Sequence, residues 1–291
     1  MNLLHLEYFY TVAKEGGFTK ASEVLRIQQP AISRMVSQLE DSFGFKLFEK
    51  IGRNVQLTSR GLVVFEKCKT IFGEVNALKM SLGEISGECS GPLNMAAAEA
   101  ITSHLLPEIL WKFYQSFPKV HPAFYSGVAS MLLESIGNGN IEFGLFFHIP
   151  ALPEKLVIEK TYPVTFRLVI RKDCQKEKSI LESFIGSREI DDTDTQKFPT
   201  LEKLIKKYPK AAIKFSSNNL TAHKEMVLRG LGVAILPEFL IKDEVKKKIL
   251  VDVLPGEIFT FNLKVIKRKH AVYSLNATKF LEVMENSLQK K

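Results

Sequence analysis

Two apolar stripes at helical spacing lie within Phe18 to Phe43, with only Arg26-Ile27-Gln28 between them. So short a connection forces two helices to cross steeply and pack on each other, which is a helix-turn-helix. Phe18, Ala21, Val24 and Leu25 make the first stripe, and Ile32, Met35, Val36, Leu39 and Phe43 make the second. Pro30 suits the first turn of the second helix, where its missing N–H would have had no intrahelical partner. A preceding stripe, Leu3, Leu4, Leu6, Phe9, Tyr10 and Val12, stops at Gly16-Gly17 and supplies a third helix. The second helix of the pair leaves Gln29, Ser33, Arg34, Ser37 and Gln38 outward. Gln and Arg read base edges in a major groove by paired hydrogen bonds, and Ser reaches bases or phosphates. On pattern alone, a small three-helix interaction domain with a solvated polar face is the competing reading.

Phe45 to Lys50 and Val55 to Thr58 then alternate around a turn at Gly52-Arg53, which describes a β-wing with cations near its tip. Such an arginine can enter a narrow minor groove. The whole stretch resembles the winged helix-turn-helix of LysR-type transcriptional regulators. The matching pieces are QPAIS followed by Arg34, Leu39-Glu40, Leu47-Phe48, Gly52-Arg53, and Leu57-Thr58 before Gly61. The resemblance implies contact with double-stranded DNA through Gln28, Gln29, Pro30, Ser33, Arg34, Ser37, Lys50 and Arg53. Some positions depart from the family pattern. Gly17 and Gln28 replace serines, the usual Ala-Ala pair is Ala21-Ser22, and Lys50 replaces arginine with a point charge.

Thr58 is the expected N-cap of a helix running from Ser59 to about Ser86. Phe65, Cys68, Phe72, Val75, Leu78, Leu82 and Ile85 form a near-heptad seam suited to a second copy, or to an amphipathic helix lying on its own domain. Gly87, Gly91 and Pro92 mark a boundary. The expected division is a DNA-binding domain over 1–58, a dimerising linker helix over 59–88 and an effector domain over 89–291.

Beyond that boundary strands alternate with helices: Leu93 to Ala97, a helix near Leu105 to Phe117, Ala123 to Ser126, a helix from Ser130, and Ile141 to Phe147. Thr165 to Arg171 opens a second unit with Phe184-Ile185, Ile213 to Phe215, a helix near Leu220 to Leu228 and strand Val233 to Leu236. The fold class is therefore α/β with an α-rich N-terminal domain, its sheet mostly parallel. Leu105-Leu106-Pro107, Phe117-Pro118 and RGLGVAILP from Arg229 resemble the LysR effector domain. That resemblance implies two lobes like those of a periplasmic binding protein, about 92–162 with 266–291 and about 163–265. It places the crossovers near Thr161 to Val164 and Val265 to Lys267. It also implies a small-molecule effector, a homodimer or homotetramer, and RNA polymerase as a further partner.

Ligands of open α/β folds sit at strand carboxyl ends. The expected lining is Ala98, Glu99, Ile101, Thr102, Ser126, Gly127, Val128, Phe147, His148, Ser187, Arg188, Asn218 and Asn219. Asn218-Asn219 lie at a helix start, where free N–H groups favour an anion. Ala98, Val128 and Ala129 make the first-lobe wall less polar than in relatives, which favours a larger or more apolar ligand over a small dicarboxylate. A domain that binds no small molecule is the alternative.

Of 291 residues 45% are hydrophobic and 25% charged, which excludes a disordered chain. Runs such as Gly144 to Phe147 fall far short of the ~18 apolar residues that span a bilayer. Met1 to Leu6 carries no Lys or Arg and Glu7 follows, so no secretory signal and a cytoplasmic location are expected. The net charge of +8 says little about DNA, because residues 1–58 are close to neutral and the surplus lies beyond them. Cys68, Cys89 and Cys174 are scattered and offer no disulfide or zinc framework. Gly230-Leu231-Gly232 follows a helix and leads into a strand, the wrong order for a dinucleotide loop. His104 and Glu108 share a helix face without further metal ligands, and a lone His148 is more often structural than a base. Lys246-Lys247-Lys248 and Lys267-Arg268-Lys269 read as solvated faces. No enzyme activity, cofactor or metal is expected. The competing class is a cytoplasmic solute-binding or enzymatic α/β protein with an N-terminal protein-interaction domain.

Overall fold

The computed structural model describes residues 2–51, 54–83, 88–149, 151–187 and 199–289, in two compact units, Met1–Leu82 and Gly83–Lys291. No helix among the described residues is long and apolar enough to cross a membrane.

The first unit runs α1 (Leu3–Glu15), α2 (Phe18–Leu25), α3 (Gln29–Phe43), β1 (Phe48–Ile51), β2 (Asn54–Leu57) and α4 (Ser59–Gly83). Asn2 caps α1 by accepting the Leu4 N–H, and Gly16 ends it in the left-handed region. Arg26 closes α2 in the same conformation, at φ 54°. Gln28 precedes α3 with no side-chain cap bond, so Pro30 and the tertiary contacts start that helix. Phe9, Val12, Ala21, Ile32, Leu39 and Leu47 form the core, and Cys68 of α4 is buried in it. Tyr10 stacks on Phe65 and Phe72 at 5.4 and 5.3 Å. The first half of the α4 seam thus packs on its own unit, while Leu78 remains exposed.

The second unit opens with β3 (Gly91–Ala97), α5 (Glu99–His104), α6 (Leu106–Ser116), β4 (Val120–Tyr125), α7 (Ala129–Gly137) and β5 (Phe143–Phe146). It continues through β6 (Leu156–Arg171), α8 (Lys178–Leu181), β7 (Ser183–Gly186), α9 (Pro199–Lys207), β8 (Ala212–Ser216), α10 (Leu220–Leu228) and β9 (Val233–Pro237). α11 (Glu238–Lys246), β10 (Leu250–Asp252), β11 (Phe259–Arg268) and α12 (Leu275–Gln289) complete it. Among the described residues the strands join in the order β4-β3-β5-β11-β6-β9-β7-β8, with β10 on β6. β3 pairs in parallel with β4 and β5, and β7 with β8 and β9, giving each lobe a parallel sheet. Parallel sheets need cover on both faces. Accordingly Leu132, Leu133 and Ile136 of α7 cover one lobe, and Val227, Leu240 and Ile241 of α10 and α11 cover the other.

The long antiparallel pair β6 and β11 carries the chain between the lobes. Thr161 to Val164 face Lys264 to Phe261 at the crossing. The return crossing therefore sits a few residues earlier than the Val265 to Lys267 expected, because Val265 to Lys267 already pair with β5 of the first lobe.

Candidate nucleic-acid interface and effector crevice

α3 has two chemically distinct faces. Ile32, Val36 and Leu39 are buried, while Gln28, Gln29, Pro30, Arg34 and Ser37 are exposed and Ser33 is half-buried. Lys50 is exposed on β1, and Arg53 lies outside the described residues. Glu40, at the far end of α3, was legible in the sequence only as part of a motif. Its buried carboxylate accepts the Leu47 N–H at 2.8 Å, the Phe48 N–H at 3.2 Å and Lys46 Nζ at 2.7 Å. One side chain thus fixes the recognition helix to the start of the wing. The pairing holds the Lys46 pKa up, so this ammonium serves Glu40 first. Thr58 ties down the wing's other end, its hydroxyl donating to Lys46 O at 2.8 Å and accepting the Gly61 N–H at 2.9 Å.

The second unit brings helix starts from both lobes together. Glu99 of α5 accepts Ser103 Oγ at 2.9 Å and, from the opposite lobe, Thr221 Oγ1 of α10 at 2.8 Å. His104 Nε2 lies 3.4 Å from the same hydroxyl. Burial, then the Lys224 charge, lowers the His104 pKa. Beside this bridge the Phe147 ring, just past β5, stacks on Phe239 of α11 at 6.3 Å. Its edge meets Phe166 at 5.1 Å, and Phe166 packs on Phe261 at 4.6 Å. Rings from both lobes and both crossing strands therefore form one connected aromatic cluster.

The expected lining residues fall into three groups. Ala98, Glu99, Phe147, His148 and Asn219 are half-buried, whereas Ser126, Gly127, Val128 and Asn218 are exposed at the ends of β4 and β8. Thr102 and Ser187 are buried, the Thr102 hydroxyl donating to Glu99 O at 2.8 Å. Ile101 is a correction: α5 begins directly after β3, and helical periodicity turns that side chain wholly into the first-lobe core. Arg188 lies outside the described residues. The anion expectation at Asn218-Asn219 also changes, because Asn219 Oδ1 caps α10 by accepting the Ala222 N–H at 2.9 Å. Ser217 is likewise occupied, its hydroxyl accepting Asn219 N–H and its carbonyl bonding buried His223 at 2.7 Å. Thr221 and Phe239 were missed, since each meets its partner in the other lobe only through long-range pairing.

The described residues hold no cluster of His, Cys, Asp and Glu suited to a metal. All three cysteines are free. Burial pushes the Cys68 thiol up to about 11 and raises Cys89 and Cys174 as well, which favours unreactive thiols.

Residues 3–62 match the family described as bacterial regulatory helix-turn-helix protein, lysR family, and residues 86–289 match the LysR substrate binding domain. The uncharacterized HTH-type transcriptional regulator YwbI of Bacillus subtilis is 28% identical, covering 97% of this chain and 95% of its own. The DNA-binding transcriptional dual regulator OxyR of Escherichia coli is 25% identical over 85% of this chain and 82% of its own. Among solved structures, full-length OxyR from Pseudomonas aeruginosa superposes with TM-score 0.66 at 19% identity, covering 99% of this chain and 95% of that one. CbnR in complex with its target DNA gives 0.62 at 18% identity, covering 99% and 100%. At such identities the superpositions speak for the fold alone, and the two family matches together span most of the sequence. This chain belongs to the LysR family of transcriptional regulators, with a helix-turn-helix followed by a LysR substrate-binding domain.

Proposed function

We propose that Gln28, Gln29, Pro30, Ser33, Arg34 and Ser37 of this regulator read a specific DNA site while Lys50 and Arg53 hold phosphates or a minor groove. The observation that carries this reading is the polar outer face of α3, opposite buried Ile32, Val36 and Leu39 and pinned to the wing by Glu40. Residues 1–58 bind DNA, 59–88 join two copies, and 89–291 respond to a small molecule. Exposed Leu62, Val63 and Leu78 of α4, with Trp111, Tyr114, Phe124 and Tyr125 on the second unit, leave apolar surface for homodimer or homotetramer contacts. Paired units would meet half-sites about one helical turn or a multiple apart, in the cytoplasm and within reach of RNA polymerase.

Genome-fragment selection followed by footprinting tests this directly, and fragments bound no better than random sequence would sink it. On a selected site, Arg34→Ala should cost about 1–3 kcal/mol and relax preference at one base pair, as expected for loss of a paired base contact. Equal loss on every sequence in anisotropy titrations would make Arg34 a phosphate contact instead.

The similarity to OxyR raises peroxide as a signal, and the three thiols argue against it here. Hydrogen peroxide treatment should leave DNA affinity unchanged in retardation assays. A peroxide response abolished by Cys174→Ser or Cys89→Ser would overturn that expectation.

A further inference from the structure

Glu99 is a half-buried carboxylate that touches two uncharged donors, Ser103 and Thr221, and has no ion-pair partner among the described residues. Among the described residues, Lys224 and Arg167 are already committed. Lys224 pairs with Glu244 at 2.7 Å and donates to Leu240 O at 2.9 Å. Arg167 forks onto Asp252, with Glu238 at 3.9 Å. Burial and the Lys224 charge disfavour the charged form of His104.

The position of this carboxylate matters as much as its charge. Ala97 and Leu145 are register partners in β3 and β5, and Glu99, the first residue of α5, and Phe147 each lie two residues beyond them. α5 also packs on α10 and on α11, the helix that carries Phe239. At the start of α10 the Ala222 N–H is taken by the Asn219 cap and the Glu99 carboxylate sits on the Thr221 hydroxyl, so negative charge already stands where a ligand anion would otherwise sit. A second carboxylate there would meet like charge in a partly desolvated site, which is costly. An unpaired carboxylate beside aromatic faces instead favours a cation, by charge pairing and by the ring quadrupole.

We infer that the crevice takes a cationic effector, an organic amine or guanidinium, its charge on Glu99 and its carbon chain against Phe147 and Phe239. This rests on the reading of the crevice as the effector site. Entry separates the Phe147–Phe239 stack and the Glu99–Thr221 bond, both of which join the lobes. Binding is thereby coupled to the lobe angle, which is how differential contacts shift a conformational equilibrium.

The test uses the full chain, with spermidine and agmatine as cationic probes and succinate and benzoate as anionic ones. Thermal shift and calorimetry are run on wild type, Glu99→Gln and Thr221→Val. A cationic probe should bind wild type and raise its melting temperature by mass action. Glu99→Gln should weaken that binding about tenfold to a hundredfold, the scale of a lost charge-assisted bond. Thr221→Val, which removes the bridge and keeps the charge, should bind the same probe at least as well. Equal binding to wild type and Glu99→Gln, or no binding of either amine, would overturn the inference. Binding of the carboxylates alone would overturn it too, while leaving the crevice as the effector site. DNA retardation on the same samples separates the two levels: an amine that binds through Glu99 without altering DNA affinity upholds the site and removes its effector role.

Discussion

Gly61→Ala should unfold or severely loosen the DNA-binding unit while leaving the second unit intact. Gly61 lies in the first turn of α4, and a Cβ there would sit 2.0 Å from the Leu47 carbonyl oxygen and 3.2 Å from Leu57 Cδ2. The obstacle is backbone, so no rotamer change relieves it. Nor can Leu47 retreat: its N–H is held by Glu40 at 2.8 Å, its carbonyl accepts the Thr58 N–H at 3.0 Å, and its side chain is fully buried. Overpacking of this kind costs about 3 kcal/mol or more. That is a large share of the ~5–15 kcal/mol that holds a typical domain together. Denaturation followed by circular dichroism should show an early transition absent from wild type, with specific DNA binding lost and the later transition unmoved. Wild-type melting and DNA affinity would mean that α4 does not approach Leu47 so closely.

The same Gly61 shows how the sequence could be right about a motif without giving its cause. Leu47-Phe48 and Leu57-Thr58 before Gly61 were legible as letters of a pattern. The reason they recur together is one junction, where Thr58 caps α4, bonds Lys46 O, and lets Gly61 pass against Leu47. Local signals such as the stop at Gly16, Pro30 in a first turn, and the apolar stripes of α1 to α3 needed no tertiary knowledge, and the fold follows them. The α4 seam is a different case, because periodicity marks a face and not what covers it. Tyr10 takes Phe65 and Phe72 for the home unit, and the sequence held both readings open.

The crevice was less legible still. α5 lacks a long apolar run, so Glu99 to His104 fell between the expected strand Leu93 to Ala97 and the expected helix near Leu105; the helix that forms there turns Ile101 inward. Thr221 meets Glu99 from 122 residues away along the chain, a pairing that no local spacing encodes. The anion expectation is altered for a related reason: Asn219 caps the Ala222 N–H at this helix start, and a carboxylate from the other lobe sits on its Thr221 hydroxyl.

Glu40→Ala should be the most damaging change among the polar residues of α3, and Glu40→Gln should be far milder. The carboxylate is buried and is the acceptor for two backbone donors, Leu47 N–H and Phe48 N–H, both on Oε1. Alanine strands both at the point where the recognition helix meets the wing, and a buried donor without a partner costs about 1–3 kcal/mol. The two together should lower stability by about 2–5 kcal/mol, read from urea denaturation. Glutamine can present its amide oxygen to the same two N–H groups and forfeits mainly the pair with Lys46. That ammonium is 69% exposed, so solvent screens the pair and its loss should cost far less than stranding the two backbone donors. Lys46→Ala should therefore resemble Glu40→Gln in stability. The comparison decides what Glu40 is for: if Lys46→Ala proved as destabilising as Glu40→Ala, the ion pair and not the backbone donors would be holding the wing. With the donors as the main bond, Glu40→Ala should also lose DNA affinity beyond its stability cost, because β1 and Lys50 no longer have a fixed position relative to α3.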